Sequence, residues 1–180
     1  MSEQDSPEPR FVSKQNRLLH LPEWQLKIIR RYPEIYLDMS PEMSGYYKGG
    51  REQPPAEEDY CNLRYGFECD AGWAELLEDL SATGTALVKS LRSFGFQYDA
   101  RISACICKEK YGVLVWQGHD NLLPPFHSLW FAYARLIGER SKTRCERSGK
   151  LGQLRTIQGR VVTLSDEEFE KEIRRSKKKS

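Results

Sequence analysis

Residues 100–117 read ARISACICKEKYGVLVWQ, and this stretch decides the architecture. Ile102, Ala104 and Ile106 recur with the two-residue period of a half-buried strand. Val113, Leu114, Val115 and Trp116 supply a β-branched and aromatic partner. The polar link from Lys108 to Gly112 ends in glycine, so the pair is expected to close as a β-hairpin. Cys105 and Cys107 share a face in extended chain. They read as packing residues, because a redox pair usually has two intervening residues at a helix start.

Helical patterns flank the hairpin on both sides. Upstream, Trp73, Leu76, Leu77 and Leu80 fall on one face of a helix from about Ala71, with Asp70 placed to cap it. Gly84 is expected to break this helix. A second then carries Leu87, Val88, Leu91 and Phe94 and closes at Gly95. Downstream, Pro124 and Pro125 open a helix with an aromatic stripe of Phe126, Leu129, Trp130, Tyr133, Leu136 and Ile137, running to about Arg147 and ending at Gly149. Residues 153–157 and 160–164 flank Gln158-Gly159 as a second hairpin. Ser165-Asp166-Glu167-Glu168 is the capping box of a charged last helix.

Nearer the start, Trp24, Ile28 and Tyr32 mark a helix from Pro22 that stops at Tyr32, before Pro33. Residues 1–16 are polar and read as a loose arm. Residues 38–60 form a long irregular loop, and 174–180 a basic tail. The expectation is one α+β domain over 17–173, with a small antiparallel sheet of two hairpins packed by four to five helices.

With 39% hydrophobic and 11% aromatic residues in 180, the chain can bury a core, which excludes global disorder. Without a long apolar run or a signal-like start it is expected to be soluble and cytoplasmic, with no membrane partner. Five cysteines at irregular spacing make a poor disulfide framework and fit reduced thiols. The net charge of +2 hides an asymmetry: residues 1–90 hold 10 basic and 16 acidic side chains, residues 91–180 hold 18 and 10.

Catalytic signatures are missing. There is no Gly-rich phosphate loop, Gly-x-Ser-x-Gly or His-Glu-x-x-His. His20, His119 and His127 are far apart in the chain, and His119 and Asp120, as strand neighbours, point apart. No nucleophile, base and orienter can be assembled, so no enzymatic activity and no cofactor are expected. Cys145-Glu146-Arg147-Ser148-Gly149-Lys150 has the outline of a zinc knuckle with a serine at the second thiolate. One thiol of the four S or N donors needed does not hold the ion, so no metal is expected.

Four segments resemble a group of small, largely uncharacterised bacterial and phage proteins. Ile29–Tyr36 is similar to its "ERYPEIF" helix end, and Tyr65–Trp73 to its "GFECGDGW" signature. Cys107–Leu114 is similar to its "VKEKFGGLRFY" turn, and residues 141–166 to its "CEVCGKPGKLR…WVRTLCDEH" end. The matches run in order over about 27–168. The resemblance implies a zinc ribbon over 145–168, of whose ligands only Cys145 survives. Ser148, Ser165 and Glu168 stand at the others, which makes the ribbon degenerate. It also implies the company of mobile elements and interbacterial conflict, where small single-domain proteins are often immunity proteins.

Two functional readings follow. In the first, the chain is a non-enzymatic immunity or antitoxin-type protein that binds and blocks a cognate toxin, for instance a nuclease effector of a secretion system such as type VI. Its expected partner-binding residues are Tyr46, Tyr47, Arg51, Glu57, Glu58, Asp59, Glu68 and Asp70, because aromatic and Arg side chains anchor interfaces and acidic ones steer toward a basic surface. In the alternative, the basic segment Arg140, Lys142, Arg144, Arg147, Lys150, Arg155 and Arg160 binds nucleic acid.

Overall fold

The computed structural model describes residues 21–36 and 66–177; the loose arm, the 38–60 loop and the last three residues lie outside them. Within that range the chain is α+β. Helices α1 (Glu23–Arg31) and α2 (Pro33–Tyr36) are followed by a 3₁₀ turn (Ala71–Trp73) and α3 (Ala74–Ser93). Hairpin β1–β2 (Ile102–Lys110, Val113–Asp120), α4 (Phe126–Ser141), hairpin β3–β4 (Gln153–Ile157, Arg160–Leu164) and α5 (Asp166–Lys177) complete the order. Each hairpin is its own two-stranded antiparallel sheet.

Both hairpins turn through two residues with positive φ: Tyr111 and Gly112 at 54° and 74°, Gln158 and Gly159 at 49° and 80°. This is the type I′ geometry that matches the strand twist. The first turn is thus tighter than the five-residue link expected from the sequence, and β2 continues to Asp120, which puts His119 on a strand. A bulge between Ala104 and Ile106 resets the alternation. Cys107 therefore enters the core at 1% exposure, while Ile106 is half-buried. The bulge also means that Cys105 and Cys107, both buried, do not sit on a regular two-residue repeat.

β1 packs on α2 and α3, β2 on α4, and α3 on α1 and α4. Trp73 and Trp130 are 0% and 1% exposed, so both are buried anchors. Trp130 meets Trp116 edge-on at 5.2 Å. Gly84 does not break the helix, because α3 runs through it unbroken to Ser93. Its missing side chain serves a close approach instead: a β-carbon there would lie 2.8 Å from the Trp130 ring. At the helix end Gly95 (φ 71°) donates to Arg92 O and Phe96 N to Leu91 O, a Schellman closure.

Other expectations need correcting. Phe94 lies past the end of α3 and is 76% exposed, not part of its buried face. α4 stops at Ser141, six residues short of Arg147, because residues 142–152 fold back in hydrogen-bonded turns. Leu129 and Leu136 face outward at 59% and 53% exposure, so only one side of the α4 stripe is core. Asp70 occupies the cap position but makes no side-chain cap bond. Arg174–Lys177 belong to α5, not to a tail. Ser165 does cap α5, with its Oγ accepting from Glu168 N at 3.4 Å.

Two ends of described chain meet beside α1. The Tyr36 and Phe67 rings pack at 5.4 Å, and the Gln25 side chain both donates to Phe67 O (3.0 Å) and accepts from Phe67 N (2.8 Å). Glu68 is pinned to β1, its N–H donating to Cys107 O (2.8 Å) and its carbonyl accepting from Glu109 N (2.9 Å).

Candidate functional site: an acidic cleft

The second hairpin and the loop before it dock onto the 66–73 segment. In that loop Cys145 N donates to Lys150 O (2.8 Å) and Gly149 N to Cys145 O (2.9 Å). The turn seats on Gly72, where a β-carbon would lie 2.3 Å from the carbonyl oxygens of Cys145 and Glu146. Trp73 Nε1 donates to Arg144 O at 2.7 Å, and Thr163 Oγ1 donates to Gly112 O at 2.5 Å. The resembling segments around residues 70, 110 and 145–165 thus converge on one region.

Between them opens a cleft of about 330 Å³. Glu68, Asp70, Glu109, Glu146 and Glu172 line it, against Arg147 and Arg160. Five carboxylates outnumber two guanidiniums. Glu146 bridges its walls, accepting from Asp70 N at 3.2 Å. Burial first, and then the nearby Asp70 and Glu109 charges, push the Glu146 carboxyl from 4.5 up to about 7, against the Asp70 N–H and Arg147. Arg147 crosses the opening, 2.8 Å from Glu172 and 3.8 Å from Asp70. Cys69 lines the cleft as well, but burial, with Glu146, Asp70 and Glu109 adding, pushes its thiol far up and keeps it protonated.

Of the expected partner-binding residues, Glu68 and Asp70 are both exposed on this cleft. Tyr46, Tyr47, Arg51, Glu57, Glu58 and Asp59 lie outside the described residues. Glu109, Glu146 and Glu172 carry no sequence signal of their own; 104 residues separate Glu68 from Glu172, and no local pattern joins them.

The basic segment is spent differently. Arg140 pairs with Asp79 (2.5 Å), Lys142 with Glu139 (2.7 Å), Lys150 with Glu167 (3.0 Å), Arg144 with Glu75, and Arg155 with Asp166. With Arg147 also bridged, Arg160 is the one of the seven that has no carboxylate within 4.0 Å among the described residues. Arg140 and Arg144 tie the end of α4 and the following loop to α3.

The residues at the would-be zinc positions do not fit a metal. Cys145 Sγ accepts from Ser148 N at 3.4 Å. Burial pushes this thiol up, yet hydrogen bonds from Ser148 and Ser165 outweigh it and leave the thiol below its ordinary value. Glu168 is engaged with Lys171 at 2.7 Å and lies 4.0 Å from Arg147. One sulfur, two hydroxyls and an engaged carboxylate form a hydrogen-bonded knuckle, not a tetrahedral site.

Asp120 finds an unexpected partner. Its side chain, 2% exposed, accepts from Leu122 N (3.0 Å) and lies 2.9 Å from His127 Nδ1, while His127 is 53% exposed and rests on Phe131 at 4.9 Å. Seven positions and a turn separate the two, so the adjacent His119 is the more visible candidate in the sequence. The pair closes the loop onto the start of α4.

No family model matches the chain, and neither a curated protein nor a solved structure matches it. Among the described residues, no helix is long and apolar enough to cross a membrane.

Proposed function

We propose that this protein is an immunity or antitoxin-type binding protein, acting in the cytoplasm without chemistry of its own, that blocks a cognate toxin by taking one of its basic side chains into the acidic cleft. The observation that carries this reading is the excess of carboxylates around Glu68 and Asp70 in a partly enclosed space. An Arg or Lys of the partner would meet several acceptors there, and a protonated Glu146 would supply a neutral one. The family resemblance supports the same direction. Co-expression with the product of each neighbouring gene tests it. Glu68→Lys with Asp70→Lys should abolish protection and capture of the toxin while the protein stays folded. Retained protection by that variant rejects the cleft, and protection against no neighbouring product rejects the immunity reading.

The second reading is nucleic-acid binding by the basic segment. Its support is narrower, because six of the seven cations are engaged with carboxylates. Capture of nucleic acid alone, weakening steeply with salt, would favour it.

A further inference from the structure

We infer that the acidic cleft carries its own competitor: the Arg147 guanidinium occupies the place that an arginine of the partner takes, and the partner binds by displacing it. The inference rests on the cleft reading above and deepens it, because it names the group that has to leave.

Arg147 stands at the mouth, where carboxylates of two walls face each other. Its Nη1 donates to Glu172 Oε2 of α5 at 2.8 Å and lies 4.0 Å from Glu168. Its Nε lies 3.8 Å from Asp70 on the opposite wall. Three carboxylates from two segments thus bracket one guanidinium. Arg160, the other guanidinium lining the cleft, has no carboxylate within 4.0 Å among the described residues. The cleft therefore already receives a planar guanidinium, which points to arginine rather than lysine as the incoming side chain.

The internal cation is loosely held. Among the described residues only its Glu172 contact is within hydrogen-bond range, and Glu172 also faces Arg175 at 3.7 Å. The Arg147 side chain is 32% exposed, so it can reach water without crossing the core. A half-open ion pair of this kind holds by a factor of at most about five. An incoming guanidinium that forks onto one carboxylate would be held more strongly.

The turn that carries Arg147 does not depend on this side chain. Cys145 N donates to Lys150 O (2.8 Å), Gly149 N to Cys145 O (2.9 Å) and Glu146 N to Thr163 O (2.9 Å), and the turn is seated on Gly72. Arg147 can swing outward while its backbone stays in place. With it inside, five carboxylates face two guanidiniums; with it outside they face one, so the attraction for a foreign cation rises as the internal one leaves.

A blocked dipeptide, acetyl-Arg-Arg-amide, is the probe, titrated into the full chain and followed by NMR. Arg147→Gln should bind it about threefold to fivefold tighter than wild type. Arg174→Gln removes the same charge from an exposed pair with Glu170 on α5, and should change the affinity less than about twofold. Adding Glu68→Lys and Asp70→Lys to Arg147→Gln should abolish binding. In wild type the Arg147 Nε–H signal should move toward that of free arginine as the peptide saturates, a readout that stands even if a variant misfolds. Equal or weaker binding by Arg147→Gln overturns the proposal and leaves the cleft reading standing. So does an equal gain in Arg174→Gln, or an Nε–H signal that does not move. Binding by neither wild type nor Arg147→Gln, or binding that survives the two lysine substitutions, rejects the cleft itself and the proposal with it.

Discussion

Gly72 lies directly beneath Cys145: a β-carbon on the glycine would come within 2.3 Å of the cysteine's carbonyl oxygen. Gly149 N and Glu146 O stand equally close, at 2.5 and 2.3 Å, so backbone surrounds the position. Backbone cannot rotate out of the way as a side chain can. Gly72→Ala should therefore lower stability by about 1–3 kcal/mol, read as the urea midpoint, and should loosen hydrogen-exchange protection across residues 144–152 first.

Trp73 combines full burial with a hydrogen bond from Nε1 to Arg144 O. Trp73→Ala should cost about 3–5 kcal/mol. Trp73→Phe keeps most of the packing but orphans the Arg144 carbonyl, and should cost about 1–3 kcal/mol. An unchanged denaturation midpoint in either variant would contradict the core described above.

The Glu146 carboxyl is raised in the folded protein to about 7 from 4.5, so the folded state holds a proton that the unfolded chain releases earlier. Its contribution to stability is fully present below about pH 4.5 and is lost as pH rises through about 7. Glu146→Gln should remove this dependence, leaving the variant relatively more stable at pH 8 than at pH 5 when compared with wild type. Chemical denaturation at the two pH values, taken as the difference between the proteins, isolates the group from His119, whose value is lowered by burial.

Arg144 reaches Gly72 O at 3.2 Å and pairs with Glu75 while only 26% of its side chain is exposed; Lys150 pairs with Glu167 at 68% exposure. Arg144→Ala should cost about 1–3 kcal/mol and Lys150→Ala at most about 0.5 kcal/mol. Equal losses in thermal unfolding would show that the pairing, rather than the bond to the Gly72 carbonyl, sets the value.

Purified protein freed of any affinity tag should carry no stoichiometric zinc, because Ser148, Ser165 and an engaged Glu168 accompany Cys145. Elemental analysis finding about one zinc per chain that survives mild chelation would reverse the assignment.

What is legible in the sequence is local. Gln158-Gly159 announces a two-residue turn, Ser165 announces a cap, and the spacing of Trp73 and Trp130 places them in the core, because each depends on a few neighbouring residues. Gly84 misleads because its role depends on the Trp130 ring, 46 residues away. Phe94, Leu129 and Leu136 mislead because apolar character does not by itself decide which side of a helix another element covers. Two of the five carboxylates of the acidic cleft can be found, since Glu68 and Asp70 stand together in the chain. Glu109 joins them through the bonds that pin Glu68 to β1, and Glu146 and Glu172 only once the second hairpin and the turn before it have docked. The basic segment misleads in part for the same reason, since Glu75 for Arg144 and Asp79 for Arg140 are 69 and 61 residues distant.

The packed rings of Tyr36 and Phe67, with Gln25 clamping the second, hold together two points separated by the 29 residues from 37 to 65. The entropy of closing that span is a standing charge on folding which grows only as the logarithm of its length. Each doubling of the sequence distance between the two contacts adds only about 0.6 kcal/mol to that closure, so the ring contact and the Gln25 clamp, rather than the number of residues between them, fix where the two described stretches meet.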